Sequence, residues 1–217
     1  MTLDLFADHV PELEDEALDP GAVVLRGFAT ARTAALKDAV ARVSAAAPFR
    51  HLVTPGGFRM SVAMTNCGEL GWVSDRRGYR YDPVDPESGR PWPAMPEAFR
   101  ALARDAAARA GYGGFAPDAC LVNRYAPGAK LSMHQDRDEQ DLRAPIVSVS
   151  LGLPAVFAWG GLERGDKARR VPLHHGDVVV WGGPSRLRFH GVLPLKDGEH
   201  PFAGAARLNL TFRKARA

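Results

Sequence analysis

The sequence predicts a mainly β fold with flanking helices, in which an antiparallel sandwich or barrel of the jelly-roll kind forms the core. From residue 119 to residue 213, short runs rich in β-branched and aromatic residues follow one another, separated by Gly, Pro and Asp. This pattern is typical of antiparallel β-sandwiches and barrels. Helical periodicity, by contrast, occurs in two segments that precede residue 119.

The elements before residue 119 follow in order. The first 20 residues contain seven acidic residues and no Lys or Arg, which predicts an acidic arm or a lightly packed extension. Residues 21–28 predict a strand. Apolar residues at helical spacing predict helices over 30–48, closed by Pro48, and over 96–110, with Pro at the first helical position.

Residues 52–95 are rich in Gly, Pro and aromatic residues. Only 58–66 alternate as a strand does, and the remainder predicts long loops, which in compact domains are often functional. The chain therefore divides into an acidic N-terminal arm (1–20), an N-terminal extension (21–118) and a β-rich core (119–217).

Composition restricts the class of protein. The chain has 217 residues, of which 46% are hydrophobic and 24% charged, as in ordinary soluble domains. It lacks an apolar run of the ~20 residues that a membrane helix needs. Its first ten residues lack the basic start and the apolar core of a signal peptide, so we do not expect export. Two cysteines fit a reducing compartment. We expect a cytoplasmic protein with no membrane partner, and a monomer, since no heptad pattern appears.

Charge is distributed unevenly along the chain. Residues 1–120 contain 13 Lys and Arg against 16 Asp and Glu, whereas residues 121–217 contain 15 against 9. A basic half is compatible with a polyanionic partner, because nucleic-acid affinity depends on phosphate neutralisation. Taken alone, the charge favours a second interpretation, in which the basic residues only keep the surface soluble.

The segment LSMHQDRDE, residues 131–139, contains a candidate metal site. Residues two apart in a strand point to the same side, so His134 and Asp136 can converge on one ion. A catalytic metal needs a third ligand, and His190 lies in a later β-rich run. Two His and one carboxylate form the facial triad of non-haem Fe(II) oxygenases. Alternatively, each His has a structural or solvent-exposed role.

The last predicted strand, ARLNLTFR, has two different faces. One face is apolar, and the other presents Arg207, Asn209, Thr211 and Arg213. If the polar face turned inward, its two arginines would need anionic partners. A small dicarboxylate would satisfy both, because guanidinium binds carboxylate in a bidentate manner.

Three segments together resemble the AlkB family of Fe(II)- and 2-oxoglutarate-dependent nucleobase dealkylases: NRYAPGAKLSMHQDRDE, the run containing His190, and RLNLTFR. The similarity extends into TPGGFRMSVAMTNCGELGW and HGDVVVWGG, so it covers most of residues 50–215. The resemblance implies a double-stranded β-helix core, with the N-terminal extension (21–118) forming a nucleotide-recognition lid.

The resemblance also implies roles for residues on the metal side of the site. His134, Asp136 and His190 would bind Fe(II). Five residues would bind 2-oxoglutarate: Asn123, Tyr125, Arg207, Asn209 and Arg213. Among them, Arg207 would pair with the distal carboxylate, whereas Arg213 and Asn123 would contact the metal-chelating end.

On the substrate side, the resemblance implies roles for Trp72, Tyr79, Tyr81, Asp138 and Arg164. An alkylated adenine or cytosine is cationic, so aromatic faces and a carboxylate suit it. The Trp72 and Asp138 positions would contact the base, and the tyrosines would grip the nucleotide backbone. Glu163 departs from the family, where a basic residue is expected, and this weakens the case for phosphate contacts there.

The implied function is oxidative demethylation of 1-methyladenine- and 3-methylcytosine-type bases, with Fe(II), 2-oxoglutarate and O₂, releasing formaldehyde, succinate and CO₂. Such reversal of alkylation damage would act on single-stranded DNA, with RNA or a duplex with a flipped base left open. An alternative is a hydroxylase of the same chemistry that acts on a protein or small molecule. A non-catalytic nucleic-acid-binding sandwich and a zinc hydrolase fit less well.

Overall fold

The computed structural model of the chain describes residues 14–217. Two α-helices and fourteen strands form the described part. The helices are α1 (Thr33–Ala46) and α2 (Glu97–Arg109). The strands before α2 are β1 (Glu16–Asp19), β2 (Ala22–Leu25), β3 (Arg50–Val53), β4 (Arg59–Gly68), β5 (Gly71–Asp75) and β6 (Gly78–Asp82). Those after it are β7 (Ala119–Tyr125), β8 (Leu131–His134), β9 (Ile146–Gly152), β10 (Ala155–Trp159), β11 (Arg169–Leu173), β12 (Val178–Trp181), β13 (His190–Val192) and β14 (Arg207–Arg213).

The strands form two facing sheets and a hairpin. The larger sheet has eight strands in the order β1-β2-β12-β9-β14-β7-β4-β3, and the smaller has four in the order β11-β10-β13-β8. Strands β5 and β6 pair only with each other. This confirms the predicted mainly β, jelly-roll core with flanking helices.

The larger sheet buries both of its faces. On the outer face, Leu210 and Phe212 of β14 join Leu36 of α1 and Phe99 of α2 in one apolar cluster. On the inner face, Trp181 packs with Phe157 and Trp159 of the smaller sheet. Alternate residues of a strand point to opposite faces, so β14 directs its apolar side chains to the helices and its polar ones between the sheets.

Both predicted helices and the predicted strands are present, but two predictions for the N-terminal half are wrong. Part of the predicted arm, Glu16–Asp19, is a strand that pairs with β2. Its carboxylates have basic partners, because Glu16 binds Arg26 and Arg169, and Asp19 binds Arg188 at 2.9 Å. These ion pairs offset the local negative charge that suggested an arm. Residues 1–13 lie outside the described part of the chain.

Residues 52–95, predicted to form long loops outside the strand at 58–66, also contain the β5–β6 hairpin. Moreover, β1 to β4 belong to the larger sheet, so the sheet crosses the predicted division at residue 119. Among residues 14–217, no helix is long and apolar enough to cross a membrane.

Replacing Leu210 with Ala tests how much the apolar face of β14 contributes to the stability of the core. Leu210 is fully buried between the sheet and the helices, so the variant should lose about 2–5 kcal/mol of unfolding free energy, as for other buried Leu→Ala changes. Leu208→Ala, on the same face but only partly buried, is the matched control and should lose less. Urea denaturation measures both, and equal losses would contradict this account of the core.

Candidate active site

Three potential ligand atoms converge in the smaller sheet, where β8 ends and β13 begins. His190 of β13 lies directly opposite His134 of β8 in the strand pairing, and Asp136 follows β8 by two residues. The ligand atoms of the three side chains lie within 4.8 Å of one another. His134 Nε2 is 3.6 Å from Asp136 Oδ1, and His190 Nε2 is 3.8 Å from Asp136 Oδ2.

Backbone carbonyls orient both imidazole rings. His134 Nδ1 lies 2.8 Å from the Ser132 carbonyl oxygen, and His190 Nδ1 lies 3.0 Å from that of Arg188. A carbonyl oxygen only accepts, so each Nδ1 donates its proton and Nε2 is the basic nitrogen. Burial, and secondarily His134, lowers the pKa of His190 to about 4. The ring is therefore neutral near pH 7, as a metal ligand must be.

Asp136 is held as a carboxylate by a buried arginine. Arg213 donates from Nε at 3.0 Å and from Nη2 at 2.8 Å, both to Asp136 Oδ2. Burial alone would raise the pKa of Asp136, but Arg213, followed by the two histidines, holds it well below its usual range. The guanidinium of Arg213 thus lies at the metal end of the site, where the resemblance placed it, and is bound to the metal-ligating carboxylate itself.

The donor set fits Fe(II). Two imidazoles and one carboxylate on one side leave the other positions open to a chelating cosubstrate and to oxygen. His134, Asp136 and His190 would hold the ion. Backbone carbonyls already fix the Nδ1 atoms of both imidazoles, and Arg213 fixes Oδ2 of Asp136. The predicted triad is thus brought together in full.

The other end of the site holds a buried, incompletely paired arginine. Arg207 is 1% exposed, donates from Nη2 to Ser150 Oγ at 2.8 Å, and lies over the Tyr125 ring at 5.0 Å. Within residues 14–217, Arg207 Nε and Nη1 and Asn123 Oδ1 are buried without a hydrogen-bond partner. Burial lowers the pKa of Arg207. A carboxylate from a small acid would supply acceptors for the two Arg207 nitrogens, so Arg207 fits 2-oxoglutarate, whereas Asn123 Oδ1 needs a donor.

Asn209 lies between Arg207 and Arg213 on β14, and other protein groups already form hydrogen bonds with its side-chain amide. Its Nδ2 donates to Ser148 Oγ at 2.8 Å and to the Val149 carbonyl at 3.0 Å, and its Oδ1 accepts from Asn123 and from Thr211. Asn209 therefore fixes the position of Asn123 rather than presenting free donors. Sequence reasoning missed Ser148 and Ser150, although the alternation in IVSVSLG could have indicated them.

The metal triad, Arg207, Asn209 and Arg213 line a cavity of about 730 Å³ between the sheets. At its rim, Trp72 stacks on Tyr79 with ring centroids 5.5 Å apart and planes at 13°. Trp72 Nε1 also donates to Asp138 Oδ2 at 2.9 Å. Three of the predicted substrate residues therefore form one wall, which presents aromatic faces and a carboxylate to the cavity that also contains His134.

Arg164 also lines the cavity, beside Met133 and Phe189. Its guanidinium is 4.9 Å from the Phe189 ring centroid and donates to the Met133 carbonyl at 3.1 Å. Its neighbour Glu163 is exposed and does not line this cavity. The structure thus brings Arg164 to the site and leaves Glu163 outside it.

Tyr81 is placed differently from the other substrate residues. Its hydroxyl donates to Glu139 Oε1 below the hairpin, and Tyr81 is not among the residues that line the 730 Å³ cavity. Burial raises the pKa of Tyr81 well above its usual value. A grip on the nucleotide backbone therefore does not follow for Tyr81. Sequence reasoning also missed Glu139 and Arg186, which are buried beside Asp136.

Comparison with known proteins gives the same result as the geometry. The family model described as the 2OG-Fe(II) oxygenase superfamily matches residues 21–213. The chain is 62% identical to alpha-ketoglutarate-dependent dioxygenase AlkB of Salmonella typhimurium and 61% identical to that of Escherichia coli, each over 213 residues and 98% of both chains. The structure of OsALKBH1 superposes with a TM-score of 0.81 at 31% identity, covering 93% of this chain and 100% of that one.

The chain belongs to the AlkB family. It is an Fe(II)- and 2-oxoglutarate-dependent dioxygenase, and the predicted enzyme class and cofactors are confirmed. The AlkB assignment also explains why one cavity contains both a metal triad and a buried, incompletely paired arginine.

Replacing His134 with Ala removes one of the three metal ligands and should abolish stoichiometric Fe(II) binding. The measurement is anaerobic equilibrium dialysis followed by metal analysis. His174→Ala is the matched control, because His174 lies in the turn before β12 with its side chain 67% exposed. Equal metal content in both variants would exclude His134 as a ligand.

Replacing Arg207 with Gln should weaken 2-oxoglutarate binding. Truncating one partner of a buried charge pair costs about 2 kcal/mol or more, which corresponds to roughly 30-fold in affinity. Calorimetric titration of the Mn(II)-loaded protein with 2-oxoglutarate measures the change. Arg169→Gln, at a half-exposed site on β11, should bind as the wild type does, and an unchanged affinity in Arg207→Gln would refute the assignment.

Proposed function

We propose that the protein reverses alkylation damage by oxidative demethylation of 1-methyladenine- and 3-methylcytosine-type bases in single-stranded DNA. The observation that supports this most directly is the wall of Trp72, Tyr79 and Asp138, which lines the same cavity as the metal triad. A protein- or metabolite-specific oxygenase has no evident need of such a wall.

The charge of the substrate accounts for the composition of the wall. Methylation at N1 of adenine or N3 of cytosine makes the base cationic. The Trp72 face attracts a cation through its π-electrons, and the Asp138 carboxylate attracts it directly. By the family resemblance, the base would lie between Trp72 and His134, with its alkylated edge toward the metal.

The chain itself positions the reactants. Arg207 would orient 2-oxoglutarate from its distal carboxylate, and the tryptophans of the inner face keep the cavity apolar behind His190. When bound, Fe(II) with 2-oxoglutarate and O₂ supplies the oxidation that releases the methyl carbon as formaldehyde, together with succinate and CO₂.

The preference for single strands follows from the position of the alkylated atom. N1 of adenine and N3 of cytosine lie on the base-pairing edge, so the base must be unpaired or flipped to enter. The cavity is lined by cationic side chains suited to flanking phosphates, namely Arg59, Lys130, Arg137 and Arg164. RNA presents the same edge and is a second candidate substrate.

We also propose that residues 21–118 supply the nucleotide-recognition lid, with the β5–β6 hairpin as its contact with the base, and that the enzyme acts as a cytoplasmic monomer. Two structural features support the lid and the cytoplasmic location, and the lack of a heptad pattern in the sequence supports the monomer. The hairpin is joined to neither sheet by strand pairing, and Cys67 and Cys120 are both free thiols.

The deciding experiment uses a short single-stranded DNA with one 1-methyladenine. The purified protein is loaded anaerobically with Fe(II) and 2-oxoglutarate, and air is then admitted. Mass spectrometry should show loss of one methylene unit from the DNA with the wild type and none with His134→Ala. If succinate forms while the methyl group stays, the enzyme class stands and the nucleobase assignment is wrong.

A further inference from the structure

Four charged side chains form a buried cluster behind the metal triad. Asp136 and Arg213 are paired, and beside them lie Glu139 and Arg186, with side chains 2% and 3% exposed. The cluster contains two carboxylates and two guanidinium groups, so its net charge is zero. A buried ionic cluster is costly unless each member is well paired.

Glu139 connects the members of this cluster. It accepts from Arg186 Nη2 at 3.0 Å, lies 3.4 Å from Arg213 Nε, and accepts the Tyr81 hydroxyl of the β5–β6 hairpin. Without the Glu139 charge, Arg213 would keep only Asp136 as a carboxylate partner in the cluster, and Arg186 would keep none. Arg213 then loses the second anion that sets its orientation on Asp136.

Arg186 fixes the loop on which these carboxylates lie. It donates from Nη1 to the Asp136 carbonyl at 2.6 Å and from Nε to the Ala144 carbonyl at 3.0 Å. Arg186 also precedes His190 by four residues. It therefore ties the loop that contains one metal ligand to the loop that leads into another.

The hairpin docks on the same loop at two points. Trp72 and Tyr81 are direct cross-strand partners in β5 and β6. Trp72 binds Asp138 at the cavity wall, and Tyr81 binds the adjacent Glu139 beneath it. A movement of the hairpin that displaces Trp72 from the base also pulls on the hydroxyl that holds Glu139.

We propose that Glu139 is a positioning residue that couples docking of the hairpin to the geometry of the metal ligand Asp136, through Arg213. Base binding against Trp72 stabilises the docked hairpin, which holds Glu139 and Arg213 in place, and Arg213 holds Asp136. Coupling between two sites is reciprocal, so an alkylated base should tighten metal binding and the metal should tighten base binding. The part of this proposal that concerns base binding rests on the proposed function.

The test compares Glu139→Gln, Tyr81→Phe and the wild type. Gln keeps the shape of Glu139 without its charge, and Phe removes only the hydroxyl of Tyr81. Asp141→Asn is the matched control, because Asp141 lies in the same loop and pairs with the exposed Arg143. Mn(II) affinity is measured from the electron paramagnetic resonance signal of the free ion, with 2-oxoglutarate present, and with and without the 1-methyladenine DNA.

In the absence of DNA, Glu139→Gln should weaken Mn(II) binding about 10- to 100-fold, as loss of an outer partner of a metal ligand does, and Asp141→Asn should not. The anaerobic absorption band of the Fe(II)–2-oxoglutarate complex should shift in Glu139→Gln only. Affinity within twofold of the wild type, with an unchanged band, would overturn the proposal.

With DNA added, the wild type should bind Mn(II) more tightly, and Tyr81→Phe should lose that gain while folding normally. A full gain in Tyr81→Phe would overturn the link to the hairpin. If Glu139→Gln does not fold, Tyr81→Phe alone decides the coupling. If the wild type leaves the DNA methylated but Glu139→Gln still weakens Mn(II) binding, the positioning role stands and the substrate assignment falls.

Discussion

The buried ion pair between Asp136 and Arg213 is the interaction on which the rest of the site depends. Burial favours the neutral form of a carboxyl group, and a protonated Asp136 could not complete the metal triad. Both hydrogen bonds from Arg213 reach the same oxygen, Oδ2. They therefore keep Asp136 ionised and oriented while Oδ1 faces His134.

That ion pair in turn requires β14 to lie where it does. Arg213 and Arg207 are the two ends of one strand, which pairs along its length with β7 and β9 in the middle of the larger sheet. The register that fixes Leu210 in the apolar cluster thus also fixes Arg213 beside the metal triad and Arg207 elsewhere in the same cavity. A one-residue slip would turn both arginines toward the helices, so stability and function select the same register.

Much of the site could be predicted from the sequence because its signals are local: His134 and Asp136 are two apart, and the alternation of β14 separates its faces. The hairpin could not, since its pairing depends on contacts made elsewhere, such as the Asn66 side chain bonded to the Trp72 backbone. The different positions of Tyr79 and Tyr81 could not be predicted from the sequence either. They share a strand face, yet one lies over the cavity and the other above a buried carboxylate, a difference of depth that spacing does not encode.

Electrostatic balance gives a reason for the separation of Asp138 from the buried cluster. The cluster of Asp136, Glu139, Arg186 and Arg213 is neutral, so it neither attracts nor repels the proposed cationic base. Asp138, at the rim and bound only to the Trp72 indole among its side-chain hydrogen bonds within residues 14–217, supplies the attraction. Dealkylation removes the positive charge of the base, so the attraction of Asp138 and of the Trp72 face weakens at the moment the reaction is complete. By this proposal, the two residues that would favour entry of the damaged base would hold the repaired base less tightly and so allow its release.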